Sequence, residues 1–200
     1  VNLGVLGAKL ASVERAAQSW VLMCDSDNVF GLEALALLDR LASEQDWRAV
    51  YCPSFGRPAL AYRHLAGVWP LDRLAEVYAR PAGGCLVNTG NQLVPRTAWL
   101  EAARAAYPGE RWDLTLPDWC GVGDRSDLRW RQIYTSADSL LLNVAWLRVG
   151  GVLVVEPGLE YVHGSLTPEH QAEAPSSWER APAEKDLLPA AIVSWSRRDR

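Results

Sequence analysis

Apolar residues along the chain fall into short blocks whose spacing switches between helical and extended periods. Leu10, Val13, Ala16 and Ala17 recur at helical spacing, which predicts a helix over 8–19 with polar residues on its other faces. Trp20-Val21-Leu22-Met23-Cys24 is an unbroken apolar run, too short for a helix and suited to a buried strand. It stops abruptly at Asp25-Ser26-Asp27-Asn28. Leu35, Leu38 and Leu41 mark a second helix over 32–41, and Ala49-Val50-Tyr51-Cys52 a second buried strand ended by Pro53. Helix, buried strand, helix, buried strand predicts an α/β sandwich with a mostly parallel central sheet.

Past Pro58 the blocks shorten. Helices are expected over 71–79, where Pro70 suits the first turn, over 98–106, and over 139–149. The last of these ends at Gly150-Gly151 and has Asp138 at its head. Short strands are expected at 85–87, 92–94, 152–155 and 161–163, with Asn88-Thr89-Gly90-Asn91 as a turn between the first two. Residues 112–130 read as a long aromatic and acidic loop, and loops of that length are usually functional or mobile. From 167 to 200 the chain is rich in Pro, Glu and Ala, a tail that Trp178 and Trp195 would dock in part.

Composition narrows the classes. The chain has 200 residues, 49% apolar and 22% charged, enough for a real core and far from a disordered composition. No stretch approaches the ~20 apolar residues of a membrane-spanning helix, which leaves attachment at a membrane surface open. The net charge of −4 argues against a nonspecific binder of nucleic-acid backbones. Cys24, Cys52, Cys85 and Cys120 form no CxxC and no cluster, so reduced thiols in the core of a cytoplasmic protein are expected. Ten Trp against two Phe is a heavy use of the aromatic that combines a flat face with an N–H donor. Packing explains it, and so does a surface on which sugar rings or bases stack.

Four places could carry chemistry. Asp25 and Asp27 lie at i and i+2 after a buried strand, so on extended backbone their side chains point the same way, roughly 7 Å apart. The C-terminal edge of such a strand opens into the crevice where α/β sheets bind ligands. A hard divalent cation such as Mg²⁺ or Mn²⁺ would resolve their repulsion and share its remaining positions with phosphate oxygens and water. The competing role is a helix N-cap by Asp27 or Asn28. Asp138 is either a helix cap, a dipole-stabilised carboxylate, or a general base taking a proton from an attacking hydroxyl. His163, after a strand, is a structural histidine or a further ligand beside the two carboxylates. Gly90 and Asn91 form a plain turn or let backbone approach a diphosphate or sugar.

The order of these elements resembles the family 2-like glycosyltransferases of the GT-A fold. The resemblance runs from about Asn2 to His163 and is specific at Asp25-Ser26-Asp27 and at the Asp138–helix–Gly150-Gly151–strand–His163 segment. It implies a catalytic domain over 1–166, incomplete at its start, in a nucleotide-diphospho-sugar transferase sandwich. It implies Asp25 and Asp27 as the pair holding Mn²⁺ or Mg²⁺ and the donor diphosphate, with His163 also on the metal. Gly90 and Asn91 would lie under the donor and acceptor sugars, and Asp138 would be the catalytic base of an inverting enzyme. The partners implied are a nucleotide-sugar donor and a glycan or other hydroxyl acceptor. Lys9-Leu10 stands where members often show Arg-Asn, and Ala137 where they show Glu. No Gln-x-x-Arg-Trp signature is present, which favours single addition over processive synthesis. A nucleotidyltransferase of similar fold and a non-catalytic carbohydrate-binding relative are the alternative readings.

Overall fold

The computed structural model describes residues 4–25, 27–58, 60–81, 83–87, 89–106 and 138–164. The expected loop 112–130, the tail from 167, Cys120, Ser26, Asn88 and Ala137 lie outside the described residues. Helix α1 (Gly4–Arg15) leads into strand β1 (Trp20–Met23), then β2 (Asn28–Phe30) and α2 (Leu32–Glu44). Next come β3 (Ala49–Arg57), β4 (Leu60–Ala61), β5 (Gly67–Trp69) and the short helices α3 (Leu74–Tyr78) and α4 (Gly83–Val87). Strand β6 (Gln92–Pro95), α5 (Arg96–Ala106), α6 (Asp138–Arg148) and β7 (Val152–His163) complete the order.

The protein is α/β, but its sheet is mixed rather than mostly parallel. Its strands run β1-β6-β3-β7-β2, with β4 on β3 and β5 on β7. Among the described strands only β3 and β7 pair in parallel; β1–β6, β3–β6, β2–β7, β3–β4 and β5–β7 are antiparallel. Alternating helix and strand signals predict parallel crossovers, but β6 runs antiparallel to both β1 and β3, and the short strands β2, β4 and β5 add three more antiparallel pairs. Strand β2 is the clearest case, occupying the Asn28 region that reads as a cap.

Period-2 alternation within the strands builds two packed layers. Val50, Cys52, Val94, Leu153 and Val155 face one way, onto Leu10 and Val13 of α1, Trp99 and Leu100 of α5, and Val144 and Leu147 of α6. Ala49, Tyr51, Leu93 and Val154 face the other way, onto α2. The buried face of α2 is Ala34, Leu38 and Leu41, and Leu35 is 43% exposed. Positions 35, 38 and 41 drift around the helix, whereas 34, 38 and 41 keep the i, i+4, i+7 stripe. Helix α1 stops at Arg15, so Ala16 and Ala17 extend no helical face.

Three expected boundaries fail for local reasons. Pro53 does not end β3: pairing with β7 is irregular between Pro53 and Phe55, and such an irregularity tolerates the missing N–H. The expected strands at 152–155 and 161–163 are one strand, since Pro157 to Leu159 take up the register shift and Gly158, at φ +86°, makes the turn in it. Cys85-Leu86-Val87 is helical, part of α4. A side chain on Gly83 would collide with the Val77 carbonyl, so this glycine lets α4 fold tightly against the end of α3. Among the described residues no helix is long and apolar enough to cross a membrane.

Candidate functional site

Strand β1 carries its apolar residues as far as Met23, and the chain then turns through Cys24 and Asp25 into β2. The turn is closed by the Asn28 N–H, which donates to the Asp25 carbonyl at 3.0 Å. Asn91, at the foot of β6, holds it from outside. Its Oδ1 accepts the Asp25 backbone N–H at 3.1 Å and the Asn28 Nδ2 at 3.0 Å. Both amides are buried, so the exchange of hydrogen bonds between 24–28 and 89–91 is sheltered from water and correspondingly costly to break. Asn28 Oδ1 is buried with no hydrogen-bond partner among the described residues.

The Asp25 carboxylate points toward helix α1. Its Oδ1 lies 3.4 Å from Lys9 Nζ, which donates to Ser139 Oγ at 2.9 Å in the first turn of α6. Gly90 sits against this cluster. A Cβ there would come within 2.5 Å of Lys9 Nζ, 2.9 Å of Ser139 Oγ and 3.2 Å of Asp25 Oδ1. Segments distant in sequence thus meet at one point: α1, the end of β1, the 89–91 segment and the head of α6. Of the residues singled out in the sequence, Asp25, Gly90 and Asn91 are brought together, and Asp138 precedes a residue of the cluster. Because the groups meeting a Cβ at Gly90 are side-chain ends that can swing aside, Gly90→Ala should cost about 1 kcal/mol, the low end of overpacking. It should nonetheless break the Lys9–Asp25 contact, and a crystal structure of the variant with that contact intact would refute this.

Asp27 and His163 are held differently. The Asp27 carbonyl accepts the Gly164 N–H at 2.8 Å, and a side chain on Gly164 would collide with that carbonyl. His163 pairs with Asn28 in the β2–β7 register, and its ring faces Tyr161 at 6.1 Å between centroids. The histidine therefore stands beside the acidic turn. Among the described residues no three of the His, Cys, Asp and Glu side chains gather into a metal-binding group. The oxygens still fit a hard cation in type. Asp25 is 42% exposed, Asn28 Oδ1 is an unsatisfied buried oxygen in the same turn, and Mg²⁺ ordinarily binds one or two carboxylates and completes its shell with phosphate and water. Cys24 reports the local charge: burial first, then Asp25 and Asp27, push its thiol above the ordinary value. Cys24 and Cys52 are both free thiols.

A second layer fixes the 89–91 segment from behind. Gln92 and Asn143 are fully buried, and Gln92 Nε2 donates to Asn143 Oδ1 at 2.9 Å. Asn143 Nδ2 donates to the carbonyls of Val87 at 2.8 Å and Thr89 at 3.4 Å. The signal for this layer in the sequence is Asn143, a single amide inside the apolar run Leu140-Leu141-Leu142-Asn143-Val144; Gln92 only follows Asn91 at the edge of Leu93-Val94. Lys9 and Ser139 leave no such signal, since a Lys and a Ser on helices are ordinary surface residues until the fold turns them inward. The described tryptophans mostly pack: Trp99 and Trp146 are buried, and Trp20 stacks on Trp47 at 5.3 Å. Trp112, Trp119 and Trp130 lie outside the described residues.

No family model matches the chain, and no curated protein matches it.

Proposed function

We propose that this protein moves a sugar from a nucleoside-diphosphate donor to a hydroxyl acceptor, as a non-processive, inverting glycosyltransferase of the family 2-like GT-A kind. One observation supports the reading: the acidic turn after β1, the Gly90-Asn91 segment and the head of α6 converge around the Lys9 ammonium. A transferase of this kind needs those three parts together, one for the diphosphate, one under the sugars and one for the base.

In this proposal Asp25 and Asp27 face the diphosphate and would hold Mn²⁺ or Mg²⁺, with His163 alongside. When bound, the cation supplies neutralisation of the charge that builds on the departing diphosphate. Asn91 keeps the acidic turn in place through the Asp25 N–H, and Gly90, against which the Lys9 ammonium packs, would lie under the sugars. Asp138 takes the proton of the acceptor hydroxyl, which attacks the anomeric carbon opposite the leaving group and inverts it. The GT-A sandwich and the cytoplasmic setting belong to the same proposal.

The test is a titration with UDP and GDP, with and without Mn²⁺, followed by Trp fluorescence. Saturable nucleotide binding that Mn²⁺ strengthens is expected. Asp27→Ala should weaken it at least about tenfold, the loss of one charge-assisted contact, with an unchanged unfolding midpoint. A response to free sugars alone would make the protein a carbohydrate-binding module instead.

A further inference from the structure

Asp25 already has a cation, and it is part of the chain. Lys9 reaches from α1 with its side chain 18% exposed and brings Nζ to 3.4 Å from Asp25 Oδ1. The same ammonium donates to Ser139 Oγ at 2.9 Å. It packs so closely on Gly90 that a single added carbon would touch it, so the glycine makes room for the charge as much as for a ligand. A lysine head is a compact point charge, well matched to a phosphate oxygen as well as to a carboxylate. It is also a like charge to any divalent ion. An ammonium and a divalent cation a few ångströms apart repel too strongly to share one carboxylate oxygen.

We propose that Lys9 is the built-in counter-charge of this site: it competes with a divalent cation for Asp25 and itself binds the phosphate oxygens of the donor. Diphosphate binding then has a part that needs no metal. A divalent ion gains Asp25 only when the ammonium moves off it, and the vacated ammonium then meets the phosphate. The inference rests on the donor reading given above in naming the phosphate, while the competition for Asp25 is independent of it.

Two measurements separate these layers. In the first, Mn²⁺ alone is titrated into the wild type and Lys9→Met, with free Mn²⁺ followed by its electron paramagnetic resonance. The variant should bind Mn²⁺ about tenfold more tightly, because a neighbouring positive charge is gone. Equal or weaker Mn²⁺ binding by Lys9→Met overturns the competition. In the second, UDP is titrated in the presence of EDTA. The wild type should retain binding and Lys9→Met should lose about tenfold, as expected for one charge-assisted contact to phosphate. Equal UDP affinity of the two proteins in EDTA overturns the phosphate role. Wild-type protein that binds no UDP with or without Mn²⁺ removes the donor reading, and the Mn²⁺ titration still decides the role of Lys9 toward Asp25. Lys9→Gln, which keeps a donor for Ser139 Oγ without the charge, should match Lys9→Met in both measurements and serves if the latter fails to fold.

Discussion

Asn143→Leu is expected to destabilise the protein by about 3 kcal/mol, because it strands buried polar groups on three different segments. Asn143 is fully buried on α6 among Leu142, Val144, Trp146 and Leu147, so leucine matches the surroundings and shape is not the main cost. The cost is the partners. Gln92 Nε2 loses its acceptor, and the Val87 and Thr89 carbonyls lose their donor. None of them can turn to water. For a chain of this size the loss corresponds to roughly 6–12 °C in melting temperature. The loss reaches the site too, since the freed carbonyls lie just ahead of Gly90 and Asn91. Adding Gln92→Leu should recover about 1 kcal/mol, because removing both ends of a buried hydrogen bond is milder than removing one. Chemical denaturation of the two single variants and the double variant measures this. A loss below about 1 kcal/mol for Asn143→Leu alone would mean that the network contributes little.

The second large effect falls on turnover. If Asp138 is the base of the proposed transfer, Asp138→Asn should lower kcat by ~10²–10⁴-fold, or roughly 3–5 kcal/mol of barrier. Asparagine isolates that role well. It has almost the size of aspartate and is accepted equally at a helix start, so the fold loses only ~0.3–1 kcal/mol of helix-dipole stabilisation. Asp138 opens α6 one residue before Ser139, which accepts the Lys9 hydrogen bond. Donor binding should therefore be retained while acceptor-dependent turnover collapses. The measurement is single-turnover and steady-state release of the nucleoside diphosphate, beside nucleotide titration and unfolding of the same variant. Unchanged acceptor kinetics would return Asp138 to the helix start as a purely structural carboxylate.

Local pattern made much of this molecule readable. The run Trp20 to Met23 is extended because it is apolar, short and set between Gln18-Ser19 and the acidic Asp25–Asp27 stretch, and no long-range contact is needed to see it. The helix after Asp138 has the same transparency, ending where Gly150 adopts a positive φ. The sequence also singled out Asp25, Asp27, Gly90 and Asn91, but it placed the two carboxylates on extended backbone, whereas the structure folds Asp25 to Asn28 into a turn. Less legible were the strands of three residues or fewer, since a short extended segment is stabilised by its neighbours and not by its own sequence. Strand β2 pairs with the far end of β7, more than 130 residues along the chain. Nothing near Asn28 announces that partner.

The sequence by itself determined the longer helices and strands, where the apolar run of β1 gives way to carboxylates, and that a core exists. Those properties follow from periodicity and burial, which act over a few residues. The tertiary structure alone decided the direction of each strand, the pairing of Asn28 with Asn91, and the arrival of Lys9 at Asp25. A hydrogen bond or ion pair between segments 16 to 130 residues apart depends on how the whole chain closes, because distance in space is set by the packed layers. For that reason the charge facing Asp25 came from a lysine that its own helix marks only as a surface residue.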